Sequence, residues 1–201
     1  MRSHRFGGLR PQLIMIRQSH PEDAAQVVPL IDLVFEEMEV PQLMKMAKPD
    51  LYRVFEQAFL LPDYRYGYPQ TIVHEGPNGV DGILVGYSHA QEATIDDAFK
   101  PLLPSVGLPV DHELFPDVET DPGEWYIDTL AVAASAQDHG VGTALLTGIE
   151  PIVKARGEKL LSLNVDQTNP RAEQLYRRQG FKKTRELMIG SHRYNHMTKA
   201  I

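Results

Sequence analysis

The chain moves between short apolar runs and longer stretches where apolar residues return every third or fourth position. Residues 13–17 read as a short first strand. Ser19-His20-Pro21-Glu22 fits an S-x-x-E capping box with proline in the first turn. The stretch DAAQVVPLIDLVFEEME that follows has helical spacing, with Pro29 expected to bend or divide the helix. In residues 50–60, Leu51, Val54, Phe55 and Phe59 fall at i, i+3, i+4 and i+8, one face of a second helix. Two strands are expected at 71–74 and 83–89, joined by the turn GPNG.

The second half keeps the alternation. Residues 124–133 read as a strand, 140–155 as a helix that Pro151 distorts near its end, and 159–165 as another strand. Asn169 caps a helix running to residue 179, with Pro170 in its first position. Strands at 181–188 and 192–198 close the chain. No internal repeat and no second domain is visible. The order of elements predicts a largely antiparallel sheet with one parallel βαβ unit in its middle.

One segment breaks the pattern. Residues 91–123 hold five prolines, and from Gln91 to Glu124 there are nine acidic residues against Lys100 alone. The nine are Glu92, Asp96, Asp97, Asp111, Glu113, Asp117, Glu119, Asp121 and Glu124. A connection this long is a solvated loop or a functional insert.

Composition narrows the classes. The chain has 201 residues, enough for one domain with a sizeable core. The expected division is an extension over residues 1–12 followed by a single domain over 13–201, with the insert inside it. No run approaches the ~20 apolar residues of a membrane helix, and MRSHRFGGLRPQ is not followed by the long apolar segment of a secretory signal. There is no cysteine, which excludes disulfides, thiol nucleophiles and thiolate metal sites and fits the cytoplasm. A net charge of -7 argues against binding nucleic acid through its phosphates.

The chemistry centres on QDHGVGTALL, where a strand meets a helix across Gly140 and Gly142. A helix N-terminus offers unpaired N–H groups and the positive end of the dipole, so it binds phosphate without a cationic side chain. The Walker pattern is absent, and G-x-G-x-x-G fails because Leu145 takes the third place. The longer stretch LAVAASAQDHGVGTALL resembles the acetyl-CoA motif of the GNAT N-acetyltransferases, with Val132, Gln137, Gly140 and Gly142 in the motif's places. LNVDQTNPRAEQLYRRQGF resembles the same family's N-x-x-A-x-x-L-Y-x-x-x-G-F, through Asn169, Ala172, Leu175, Tyr176, Gly180 and Phe181. The resemblance covers residues 124–181; Ala134 stands where the family often has proline, and Gln137 where it commonly has arginine.

The resemblance implies a GNAT fold, α/β (α+β), with a mostly antiparallel mixed sheet of about seven strands around a central βαβ unit. It implies an acetyltransferase using acetyl-CoA, with no metal. The pyrophosphate is expected over Gln137, Asp138, His139, Gly140, Val141, Gly142 and Thr143, and the pantetheine arm beside the backbone of Leu130 and Val132. Asn169 is expected to reach the same cofactor, and Tyr176 to contact it as the acid that protonates the departing thiolate.

An amine acceptor is mostly protonated at neutral pH, so a base must take a proton. Strand alternation places Glu124, Tyr126, Asp128 and Leu130 on one face, making Asp128 and Glu124 the candidate bases. The acidic insert just ahead of this strand points to a cationic acceptor, a small molecule or a peptide. A homodimer is compatible with this reading. One rival is a catalytically silent CoA-binding sensor or interaction module; another is a different acyl donor. Other constellations carry less. His192 and His196 in one strand stand ~13 Å apart, too far to share an ion. Ser135, Asp138 and His139 crowd one loop without a G-x-S-x-G elbow.

Overall fold

The computed structural model describes residues 15–37 and 41–201. Seven strands form one sheet in the order β1-β2-β3-β4-β5-β7-β6. They are β1 (Met15–Gln18), β2 (Thr71–Gly76), β3 (Gly79–Ser88), β4 (Trp125–Val132), β5 (Leu160–Asp166), β6 (Lys182–Ile189) and β7 (His192–Ala200). All neighbours are antiparallel except β4 and β5. That pair needs a crossover, supplied by α5 (Val141–Ala155).

Two cores sit on the two faces of the sheet. On one face lie α1 (Ala24–Glu37), α3 (Lys48–Phe59) and a 3-10 segment at Asp97–Val106, burying Val27, Ile31, Phe35, Phe55, Phe59, Phe99 and Leu103. On the other, α5 buries Val141, Leu145, Leu146, Ile149 and Val153 against Trp125, Ile127, Leu161 and Leu163. α6 (Pro170–Arg178) adds Ala172, Leu175 and Tyr176 to that side. Short helices α2 (Pro41–Met44) and α4 (His89–Glu92) complete the chain. No described helix is long and apolar enough to cross a membrane.

Several local expectations shift. The helix cap is His20, not Ser19: its backbone N–H donates to Asp23 (2.7 Å), while the Ser19 hydroxyl donates to the Tyr68 carbonyl (2.7 Å). α1 and α5 run unbroken through Pro29 and Pro151. Each proline removes one N–H from the helix, but the apolar stripes on both sides stay buried and hold it together. Residues 13–14 of the expected first strand, and 38–39 of the first helix, lie outside the described residues.

The insert is not a solvated loop. Its Phe99, Leu103 and Val106 belong to the first core, Leu114 and Phe115 pack against it, and Ile95 packs with Tyr87 and Tyr126. Glu119 is only 6% exposed, so the charge counted there from the sequence lies inside the protein and not on a rim.

Candidate active site

The sheet opens where β4 and β5 part. They pair only at Trp125–Leu161, Tyr126–Ser162 and Ile127–Leu163. From Asp128 onward, one edge of β4 has no β5 partner, and from Asn164 onward neither does the facing edge of β5. A bulge sits at the same level: Val85 pairs with Thr129 and Gly86 with Ile127, leaving Asp128 as the extra residue. Gly86 permits this because a Cβ there would lie 2.2 Å from the Trp125 ring.

The bulge corrects the expected alternation. Trp125 and Ile127 face the α5 side, and three residues beyond Ile127, Leu130 faces it too. Tyr126 lies on the opposite face with Tyr87 and Ile95. Glu124, Tyr126, Asp128 and Leu130 therefore do not share one face. The inserted residue resets the period of two, and no sequence signal marks it.

The glycine loop follows this opened edge. Gly140 is the N-cap of α5 with φ +84°, a backbone that favours glycine. Asp138 also has positive φ (+65°) and is ion-paired to Arg171 of α6, which fastens the loop to that helix. His139 Nδ1 reaches the Gln137 carbonyl (2.7 Å), and Gln137 Nε2 donates to the Val132 carbonyl (3.3 Å). The first N–H groups of the helix, from Val141 to Thr143, are those a helix leaves without intrahelical partners. A Cβ on Gly142 would lie 3.4 Å from Leu175 and 3.9 Å from Leu130, so this glycine keeps open the seam between α5, α6 and β4. Asn169 caps α6, its Oδ1 accepting from Ala172 N (3.1 Å). Tyr176 is half-buried and meets Phe181 edge-on, 6.1 Å between centroids.

On the face opposite α5, a polar network spans four strands, β3, β4, β5 and β7. Arg65 donates to Asp128 (2.6 Å), Tyr87 (2.8 Å) and Asp96 (2.9 Å), and lies 3.7 Å from Glu119. The Tyr126 hydroxyl donates to Glu119, and Asn164 Nδ2 donates to that hydroxyl (3.2 Å) and to the Glu119 carbonyl (3.0 Å). Asn164 Oδ1 then accepts from His196 Nδ1 (2.7 Å), and His196 Nε2 stands 3.0 Å from Glu124 Oε1.

Asn164 spends its N–H donors on two oxygens, so its Oδ1 is the acceptor for the Nδ1–H of His196. His196 Nε2 and the Glu124 carboxyl, both buried, face each other at 3.0 Å.

The electrostatics follow from burial. The Glu119 carboxyl is pushed up to about 7, first by desolvation and next by the nearby charge of Asp128. Desolvation also raises Asp96 and the phenols of Tyr87 and Tyr126.

Of the candidate bases, Asp128 accepts from Arg65 and, on its other oxygen, from Thr129 (2.9 Å). Glu124 is held by His196 and the backbone N–H of Asp121 (2.9 Å). Sequence reasoning missed Arg65 and His196, the partners of these carboxylates, and Glu119 and Asn164, which join them in one network. They come from four separate elements that only the fold brings together.

His192 and His196 both lie in β7 with separate partners, Asp166 (3.1 Å) and the Glu124 pair. Asp121, Glu124 and His196 place ligand atoms within 4.8 Å of one another. Within this cluster Arg185 pairs with Asp121 (2.9 Å) and His196 with Glu124 (3.0 Å).

A seven-stranded mixed sheet that opens beside a glycine-capped helix defines the architecture of an acetyltransferase. Residues 43–181 match the acetyltransferase (GNAT) family, and the chain belongs to that family. Membership implies acetyl transfer; acetyl-CoA is the family's donor, and small molecules or peptides are its acceptors. The crystal structure of an acetyltransferase is 36% identical, with TM-score 0.84 over 92% of this chain and 98% of that one. The N-acetyltransferase from Staphylococcus aureus Mu50 is 28% identical, with TM-score 0.80 over 92% of this chain and all of that one (100%). A ribosomal-protein-alanine N-acetyltransferase from Brucella melitensis shares the fold at 15% identity and TM-score 0.61, covering 94% of this chain and 100% of that one. A search of curated proteins finds no match.

Proposed function

We propose that the protein moves an acetyl group from acetyl-CoA to a primary amine that carries positive charge. The observation behind this reading is the opened β4 edge, from Asp128 to Val132, lying beside the Gly140–Gly142 helix start. The residues fit the donor. Gln137, Asp138, His139, Gly140, Val141, Gly142 and Thr143 would hold its pyrophosphate on backbone N–H groups. The backbone of Leu130 and Val132 would pair with its amide-bearing arm as a missing strand would. Asn169, the cap of α6, would reach the same donor.

The acetyl thioester supplies the electrophile. The acceptor arrives as an ammonium ion and must lose a proton before its nitrogen attacks. Two carboxylates stand for that step, Asp128 and Glu124, acting on the amine directly or through one water. Asp128 is held by Arg65 at 2.6 Å, and Glu124 faces His196 at 3.0 Å. The Tyr176 hydroxyl is proposed to give a proton to the departing thiolate.

The test is calorimetric titration of CoA into the wild type and Gly142→Val. The valine fills the seam beside Leu175 and Leu130, so CoA affinity should fall about tenfold or more, the effect of losing one or two good contacts, with the thermal transition retained. Unchanged affinity in the folded variant would remove the proposed donor site. Thiol release with a panel of amines then separates an enzyme from a silent CoA-binding module.

A further inference from the structure

The insert encloses a cavity of about 450 Å³ over Tyr64 and Arg65, within the size range of small-molecule sites. Its walls include Phe99, Leu103, Leu114 and Phe115, which suit a methylene chain. Five carboxylates line it, Glu92, Asp96, Asp97, Glu113 and Asp117, against Arg65 and Lys100. Both cations are already engaged: Lys100 with Asp97 (2.5 Å), and Arg65 with Asp96, Asp128 and Glu119. Arg65 therefore offers nothing to an incoming anion, and the cavity keeps an excess of negative charge.

A second observation points to a ligand. The Tyr64 hydroxyl is fully buried in this wall and has no hydrogen-bond partner among the described residues. Buried polar groups are nearly always satisfied, and one left open at a ligand-sized cavity awaits an external donor or acceptor. Asp96, Arg65 and Asp128 are the charges that act on this hydroxyl. An ammonium group could donate to it and to Asp96 together.

The cavity also adjoins the chemistry. Arg65 holds Asp96, in the cavity wall, with one nitrogen and Asp128 with another. One guanidinium width thus separates the cavity from the level where β4 and β5 part.

We propose that this cavity is a second acceptor subsite that holds a non-reacting ammonium group, so that small di- and polyamines are preferred over monoamines. The inference rests on the amine-transfer reading above and adds where the acceptor's far end lies. Asp96 and the Tyr64 hydroxyl receive the cation, the aromatic walls cover the chain, and Glu113, exposed on the cavity wall, draws the cation in.

The experiment compares putrescine, cadaverine and spermidine with butylamine and pentylamine. Thiol release gives kcat/KM, and titration into CoA-saturated protein gives affinity without turnover. The diamines should lead by about tenfold or more, the effect of one charge-assisted contact. Tyr64→Phe removes only the unpartnered hydroxyl, and Glu113→Gln changes only an exposed charge. Each should shrink the diamine preference in both assays while CoA affinity stays as in the wild type, and Tyr64→Phe should leave monoamine kinetics unchanged. Equal use and equal binding of mono- and diamines overturn the subsite, as does a diamine preference that neither variant changes. Diamine binding that both variants weaken, with no thiol released from any amine, keeps the subsite and sinks the transfer reading.

Discussion

Replacing Glu119 by glutamine should change how stability depends on pH. Glu119 is buried beside Tyr126 and Arg65, and its carboxyl rises from an ordinary 4.5 to about 7. The sign follows from proton counts. Below about 4.5 the group is protonated in both states and costs nothing. Between 4.5 and about 7 the unfolded chain has released the proton while the folded one still holds it, so stability falls as pH rises. Above that range the full cost of the buried charge is present. Each pH unit of displacement is worth about 1.4 kcal/mol, giving a ceiling of about 3 kcal/mol; coupling to Asp128 shares part of it. For a chain of this length, that is a melting shift on the order of 10 °C.

Glutamine keeps the shape and still accepts from the Tyr126 hydroxyl, so it removes the titration more than the packing. Urea unfolding of both proteins at intervals from about pH 5 to about pH 8 measures the difference. The wild type should lose stability relative to Glu119→Gln across that window, by about 2–3 kcal/mol in all. Two curves that run parallel would refute the argument, because a carboxyl with an ordinary titration contributes no slope there.

Two further outcomes are expected. Tyr176→Phe should lower kcat about 100-fold with CoA affinity retained, the low end for one acid–base group; Asp128→Asn and Glu124→Gln, compared in the same thiol-release assay with folding checked by circular dichroism, should name the base by which one loses turnover, and equal turnover in all three would remove the proposed acid and bases. Neutralising Asp111, Glu113 and Asp117 together should reduce the rise of acceptor KM with salt, since exposed charges steer over about 8–10 Å near physiological ionic strength; an unchanged salt slope would leave the insert without a steering role. Glu119 is left out of that set because it is buried.

The division between sequence and fold follows the range of the forces involved. The periods of two and of three to four are local, and they delivered the strands, the helices and the order that makes β4–α5–β5 a parallel unit. The two glycines at Gly140 and Gly142 and the run from Asn169 to Phe181 are also local, because a helix start and its cap are set by neighbours in the chain. That is why the glycine-capped helix start and the cap at Asn169 were legible. The partners of Asp128 and Glu124 were not. Arg65 reaches Asp128 from 63 residues away and His196 reaches Glu124 from 72, with Glu119 and Asn164 tied into the same network, through ion pairs and hydrogen bonds that no periodicity encodes. The bulge at Asp128 reversed the expected facing of Leu130 for the same reason, since it arises from pairing with β3 around Gly86. Net acidity in the insert could be counted from the sequence, but which charges are buried could not. Glu119 lies inside and Glu113 outside because the insert folds back onto Tyr87, Tyr126 and the helices of the first core. Burial is a property of the whole chain's packing, and the titration of Glu119, like the cavity over Tyr64 and Arg65, exists only once that packing is complete.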